Sequence, residues 1–440
     1  MTCAAYSLRG DFMKMRTLVL QTTFLSASHF LVRVIGFVMR IWLSRELGAM
    51  AMGLVELAGS AQMLLITPIV SGLPAAMSRM CAKEETSGQV RVLRTGMLLS
   101  LLVSLPLTLL AFFLRTPLCL WLGDIRTMPA LLAYLPCLPV LGLSCALNGY
   151  CYGAGKPVPP ALSEILEQLV RFFLTIRLVS MLRGWPTMLR AAAPALGTLA
   201  GETLSLILMM MLIGRSLFFT AGHGSRRAIL RELFSLALPL TGMRLISSLM
   251  RTVQSVLIPA RLQVSGLPAS EALSRFGMLS GMMMPVLMLP SFVTCSLSTV
   301  AAPEITRRQA KGLPHRRLVM RVLGATLGIG LVAMLAVFML APIFAERLYR
   351  QAELLVLLRR CCPMIPLMAL CQVISALMNG LGLQSTSLRI SIGASLMSTL
   401  LMHTLCVQPA MRLWGAIIAM AAAQAATLFF SLRALLRAIH

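Results

Sequence analysis

The sequence predicts an all-α polytopic membrane protein with about twelve spanning helices, arranged as two six-helix lobes related by a parallel repeat. Three observations carry this. First, 58% of the 440 residues are apolar and only 12% are charged, where soluble domains carry roughly 25% charged residues. Mean hydropathy is +0.86, and a soluble fold of this length could not cover itself with so little polar surface. Second, apolar stretches of about 20 residues, long enough to cross the hydrocarbon core, recur along the whole chain. Third, landmarks of the first half return six spans later. In a soluble chain a net charge of +25 would point to nucleic acid. Here no nucleic-acid partner is expected, and the basic excess has to be explained in a membrane.

Taken in order, the expected spans lie at 18–43, 54–78, 93–114, 128–152, 159–182, 191–214, 232–260, 276–301, 319–342, 353–380, 386–407 and 412–436. Pro259, Pro285 and Pro290 interrupt the seventh and eighth, which is tolerable where neighbours satisfy the freed carbonyls. The first stretch is long and lacks a small-residue cleavage site, so it is expected to remain as the first span. One set of alternate loops, with both termini, carries roughly 21 basic residues against roughly 11 on the other. Its richest loop holds Arg307, Arg308, Lys311, Arg316, Arg317 and Arg321. Both termini are therefore expected in the cytoplasm, with the protein in the plasma membrane. Trp42, Trp121, Trp185 and Trp414 fall near the opposite ends of spans, where an aromatic belt belongs. The eleven cysteines lie mostly within apolar stretches and form no C-x-x-C pair, so they read as small buried hydrophobes. The chain carries no metal motif, Walker loop or dinucleotide fingerprint, and no cofactor is expected.

The repeat is read from several landmarks. "ALNGYCYGAGK" at 146–156 is similar to "LMNGLGLQSTS" at 377–387, pairing Asn148-Gly149 with Asn379-Gly380. Gly59 and Pro68 match Gly281 and Pro290 at one offset, and Met39-Arg40 matches Met250-Arg251. An even number of spans per half makes the repeat parallel, with its axis along the membrane normal. The lobes are expected at 1–216 and 217–440, joined by the polar stretch 220–227. Gly149, Gly153, Gly380, Pro68 and Pro290 are the candidate helix-break or hinge positions.

Charges inside the spans are costly, so they tend to face a cavity or a partner. Arg33 and Arg40 are seven residues apart on span one, nearly two turns, so they share a face about 10 Å apart along the axis. Arg244 and Arg251 repeat that spacing on span seven, so four guanidinium groups surround the cleft if both spans line it. Guanidinium keeps its charge, and its fork matches phosphate oxygens. These four are therefore candidates for binding an anionic head group such as a pyrophosphate. The competing readings are snorkelling to the interface, open above all to Arg40, and pairing within a lobe. Span five carries Glu164, Glu167, Gln168, Arg171 and Arg177. Glu167 and Arg171 are four apart and can pair on one helix face. The cluster reads either as structural or as part of ion coupling. Glu56 and Glu202 are minor candidates.

"RVIGFVMRIWLSRELGAMAMGL" at 33–54, "GYCYGAGKPVPPALSEILEQLVR" at 149–171 and "LPSFVTCSLSTVAAPEITRR" at 289–308 resemble the corresponding segments of the stage V sporulation protein B group. That group lies in the polysaccharide-transporter branch of the MOP flippase superfamily. The resemblance covers nearly the whole chain. It implies a MATE-like alternating-access transporter, not an enzyme, that moves a lipid-linked oligosaccharide or cell-wall precursor across the membrane. It also implies that Arg33 and Arg40 hold the pyrophosphate. Members of the branch often carry two further C-terminal helices that help form a lipid-tail groove, and these are not among the twelve spans read here.

The expected function is thus a flippase for an anionic lipid-linked saccharide in wall, cortex or surface-polysaccharide assembly. Its partners would be that substrate and membrane lipids, with wall-synthesis enzymes as further candidates and the monomer as the acting unit. A cation-coupled multidrug or small-solute antiporter is the alternative within the fold, and a non-transporting scaffold lies outside it. A glycosyltransferase would need acids or a histidine on a sizeable outer loop, and the outer loops are short and nearly acid-free.

Overall fold

The structure is a computed structural model that describes residues 2–214, 226–311, 313–314 and 316–438, with the side chains of 2–24, 26, 299, 300 and 310 excepted. Most of the expected linker at 220–227 lies outside the described residues. Among the described residues the regular structure is helical throughout. The first element, α1 (Thr2–Val70), is two limbs joined at Gly48, whose backbone is non-helical with φ 80°. Its second limb is interrupted at Ser71–Gly72, just past Pro68, and continues as α2 (Leu73–Cys81). There follow α3 (Thr86–Phe113), the short α4 (Arg115–Trp121) and α5 (Met128–Tyr134), α6 (Cys137–Gly153), α7 (Val158–Met181), the one-turn α8 (Thr187–Arg190) and α9 (Ala193–Ile213).

The second half opens with α10 (Arg226–Val264). Next, α11 (Ala269–Gly277) passes through a π-helical turn, Met278–Met283, into α12 (Met284–Met288). The remaining helices are α13 (Ser291–Ala310), α14 (Arg316–Pro342), α15 (Glu353–Cys361), α16 (Met364–Gly380), α17 (Gln384–Leu405) and α18 (Leu413–Ala438).

Seven of the described helices are long and apolar enough to cross a membrane, or up to ten when three bent pairs each count as one span. Dividing α1 at Gly48 and adding α7, whose charged residues lower its hydropathy, accounts for all twelve expected stretches. The bends have local causes. Pro136 and Pro363 precede α6 and α16, where the helices bend by 40° and 54°. Pro290 precedes α13 at a 50° bend. In each case the ring removes a backbone donor and crowds the preceding turn.

Packing repeats between the halves. In the first, α2 and α3 pack on α6, and α7 packs on α9; in the second, α13 and α14 pack on α16, and α17 packs on α18. The first limb of α1 rests on α7 as α10 rests on α17. The register differs from the one expected from Asn148 and Asn379. The ends of α6 and α16 are chemically the same cap. Gly155 and Gly382 both take positive φ (68° and 77°), and the Lys156 and Leu383 amides donate to the Cys151 and Met378 carbonyls, both at 2.8 Å. This is a glycine-terminated helix in which the left-handed residue lets orphan carbonyls be satisfied. Gly153, not Gly149, therefore stands where Gly380 stands. Asn148 and Gly149 lie within α6, one turn earlier, and Gly149 lets that helix close on the Pro74 carbonyl of α2.

The two halves touch where side chains are smallest. The second limb of α1 crosses α11 at Gly53 and Gly277. A Cβ on Gly277 would stand 2.0 Å from the Ala49 carbonyl oxygen and 2.5 Å from the Gly53 nitrogen. Without a hydrophobic force between helices in lipid, such small-residue crossings gain close van der Waals contact. Farther along α10, Thr252 donates to the Ser60 carbonyl at 3.0 Å, and Gly72 faces the Ala237 carbonyl.

Gly277→Ala should lower the melting temperature of the detergent-purified protein clearly, because overpacking against backbone costs about 1–3 kcal/mol. Gly59→Ala, where nothing lies within 4 Å of the added carbon, should leave it unchanged or slightly raised. Equal behaviour of the two would contradict the crossing.

Candidate functional site

The charges of the first half form one polar seam. On α7, Glu167 and Arg171 are one turn apart and bonded through Oε1 and Nη2. A second carboxylate, Glu202 of α9, reaches the same guanidinium at 3.7 Å. Small residues bring the helices this close. Ala193, Gly197, Gly201 and Ser205 recur every four residues on α9 and are all buried. A Cβ on Gly201 would lie 2.7 Å from the Glu167 carbonyl oxygen, and one on Gly197 would lie 2.2 Å from the Thr175 hydroxyl. On α1, Arg40 pairs with Glu56 at 2.5 Å across the Gly48 turn. The buried Tyr134 lies near Arg171, Arg40 and Glu56. At the other end His29 Nε2 stands 3.3 Å from Glu164. Gln168 faces α1, its amide oxygen 3.9 Å from the Cβ position of Gly36. Arg177 is exposed.

Arg33 is different. It is exposed, and it reaches across to the second half: its guanidinium carbon lies 5.5 Å from the Phe292 ring centroid, and Nη2 donates to Cys295 Sγ at 3.9 Å. It stands among the residues lining a cavity of about 590 Å³. No described carboxylate lies within 4 Å of it. Of the four arginines expected around a cleft, Arg33 therefore lines this cavity, while Arg40 is engaged by Glu56. Arg244 and Arg251 are exposed on α10, and the Arg251 Nε donates to the Ser247 carbonyl at 3.4 Å. Neither lines the cavity; from that helix it is Gln254 that does.

Comparison with known proteins bears on this arrangement. The family model described as "Polysaccharide biosynthesis protein" matches residues 18–309, which is more than half of the chain. The chain belongs to the polysaccharide biosynthesis protein family. This family member is 27% identical over 424 residues to stage V sporulation protein B of Bacillus subtilis (strain 168), covering 92% of its own length and 81% of the relative's. It is 20% identical over 415 residues to sporulation protein YkvU of the same organism, at 90% coverage of both. Its fold is that of the MOP superfamily. It matches the lipid II flippase MurJ in an inward closed conformation with TM-score 0.70 at 14% identity, over 94% of this chain and 88% of that one. It matches an inward-facing multidrug resistance MATE family transporter with TM-score 0.68 at 16% identity, over 93% and 98%. The protein is a multi-pass membrane protein of this family, with the fold that these transporters share.

Within this family member, Glu56 and Glu202, minor candidates in the sequence, join the seam, as does Tyr134, which the sequence did not single out. The signal for Glu202 was present: a carboxylate inside an apolar span, directly after the second glycine of a G-x-x-x-G stripe. For Arg171→Met, loss of the guanidinium leaves two buried carboxylates facing each other, and the expected loss of stability is about 3–5 kcal/mol. Adding Glu202→Gln should recover part of it. Thermal or denaturant unfolding of the three forms in micelles checks this, and additive losses would mean that the groups do not form one cluster.

Proposed function

We propose that the protein is an alternating-access flippase for an anionic lipid-linked oligosaccharide or wall precursor in the cytoplasmic membrane, with both termini in the cytoplasm. The two lobes, 1–216 and 217–440, would rock about the Gly53–Gly277 crossing. The observation that carries the reading is Arg33: a permanent cation with no described carboxylate beside it, placed where the halves meet and lining a cavity. Its planar fork suits a diphosphate, and no covalent chemistry is required. Arg244 and Arg251, exposed on α10, would be flanking cations that meet the head group as the lobes move, and Arg40 would hold the seam. The names of the relatives and of the flippase neighbour support a substrate from wall, spore-cortex or surface-polysaccharide assembly. Enzymes of that assembly are the candidate partners, with the monomer as the acting unit.

Coupling belongs to the seam. Glu167 and Glu202 share one arginine, Glu56 uses the other and Glu164 has only His29, so the carboxylates of the seam outnumber its guanidinium groups. An uncompensated acid in a low-dielectric interior is where a driving cation, a proton first, would bind. The multidrug antiporter reading is weaker, because the acids a lipophilic cation would need are engaged by arginines and no described acid lines the cavity.

Vesicles holding a fluorescent polyprenyl diphosphate-linked sugar, quenched from outside, measure translocation. Arg33→Ala should slow it at least about tenfold, the scale of one charge-assisted contact, with Arg33→Lys intermediate. Undiminished rates in both Arg33→Ala and Arg244→Ala would remove the head-group site. In the same assay Glu202→Gln should flatten the dependence of rate on an imposed proton gradient. An unchanged gradient dependence would exclude the seam from coupling.

A further inference from the structure

The cavity beside Arg33 is built differently from the seam. Its walls come from α10, the α12–α13 bend, α16, α17 and α18, all in the second half, and among the described residues Arg33 is the one charged residue that lines it. The remaining polar groups are neutral: three amides, Gln254, Gln372 and Gln424, and hydroxyls such as Ser375, Ser391 and Ser398. At about 590 Å³ it falls within the size range of small-molecule sites, roughly 300–1,000 Å³.

Hydroxyls in a spanning helix are commonly satisfied by the carbonyl four residues back. Thr427 does this at Ala423, and Thr399 at Ser395, both at 2.8 Å. An amide is a larger polar group, with two donors and an acceptor, and it needs an outside partner. The Gln254 amide finds one in the Ser395 carbonyl at 3.1 Å and the Thr399 hydroxyl at 3.2 Å. For Gln372 and Gln424, among the described residues, no side-chain hydrogen bond exists. Two free amides on facing helices, α16 and α18, therefore present donors and acceptors to the cavity without charge. Apolar surface from Phe292, Met368 and Met420 lies between them.

Neutral donors and acceptors interleaved with flat apolar surface match a ligand that is itself rich in hydroxyl and amide groups and uncharged. They match neither a cation nor a bare phosphate. The Arg33 cation on its wall supplies the charge that the other lining residues lack.

We propose that this cavity is a carbohydrate site. It takes the sugar portion of a glycosyl diphosphate whose phosphates sit at Arg33, and Gln372 and Gln424 read the sugar's hydroxyl or acetamido groups. The proposal rests on the flippase reading above.

The test is equilibrium binding to the full-length protein in micelles with two probes, farnesyl diphosphate and farnesyl diphosphate linked to N-acetylglucosamine. The wild type should bind the glycosylated probe at least tenfold more tightly. Gln372→Met and Gln424→Met, which keep side-chain volume, should each erase most of that difference and leave the bare diphosphate affinity as it was, which also reports that the variants are folded. Arg33→Ala should weaken both probes alike. Equal affinity of the wild type for the two probes, or discrimination that survives in both glutamine variants, would overturn the carbohydrate site while leaving the head-group reading in place. Binding of neither probe by the wild type would overturn both.

Discussion

The hydrocarbon core offers no hydrogen-bond partner, and everything polar in this chain is arranged around that constraint. Each ionic or amide side chain within a span has to find a partner on another helix, reach water, or meet a ligand. The first half follows the first route. Glu167 and Glu202 converge on Arg171, Arg40 meets Glu56, and His29 meets Glu164. Close approach of α7 and α9 is a condition of that arrangement, because a carboxylate on α9 reaches the α7 guanidinium only where Gly197 and Gly201 let the backbones come together. The second half leaves two of its amides, Gln372 and Gln424, open toward a cavity. Within the spans the polarity is therefore divided, with ion pairs in the first half and neutral amides and hydroxyls around the cavity of the second, and Arg33 stands between them. The second half's own ion pairs, Glu271–Arg275 and Glu304–Arg308, lie toward helix ends.

The division is imposed on one scaffold used twice. The caps at Gly155 and Gly382, the proline bends before α6 and α16, and the pairing of helices within each half are the same. Those features are set by backbone chemistry, which tolerates little change: a left-handed cap favours glycine, and a bend in a lipid-facing helix favours proline. Side chains facing the lobe interiors are under no such rule. The repeat could keep its geometry while one copy filled its interior with charges and the other with amides and hydroxyls. The interface between halves uses the same economy of size, with Gly53 against Gly277 giving contact without bulky interdigitation that would resist rocking.

Features that depend on near neighbours in the chain were legible in the sequence: the twelve stretches long enough to cross a bilayer, the parallel repeat, the break after Pro68 and at Pro290, the bond between Glu167 and Arg171 one turn apart, and the place of Arg33 inside an apolar span. Even there a shift of one turn escaped notice, since Asn148-Gly149 aligns by letters with Asn379-Gly380 while the caps align Gly153 with Gly380. What only the tertiary structure decided are the pairings between helices and between the limbs of α1: that Arg40 goes to Glu56, that Glu202 completes the Arg171 cluster, that His29 meets Glu164, and that Gln372 and Gln424 line one cavity together with Arg33. The reason is physical. Helical periodicity determines which face of its own helix a residue occupies, because rise and rotation per residue are constant. Which other helix that face meets depends on how close two backbones can come, and that is set by small residues on both partners.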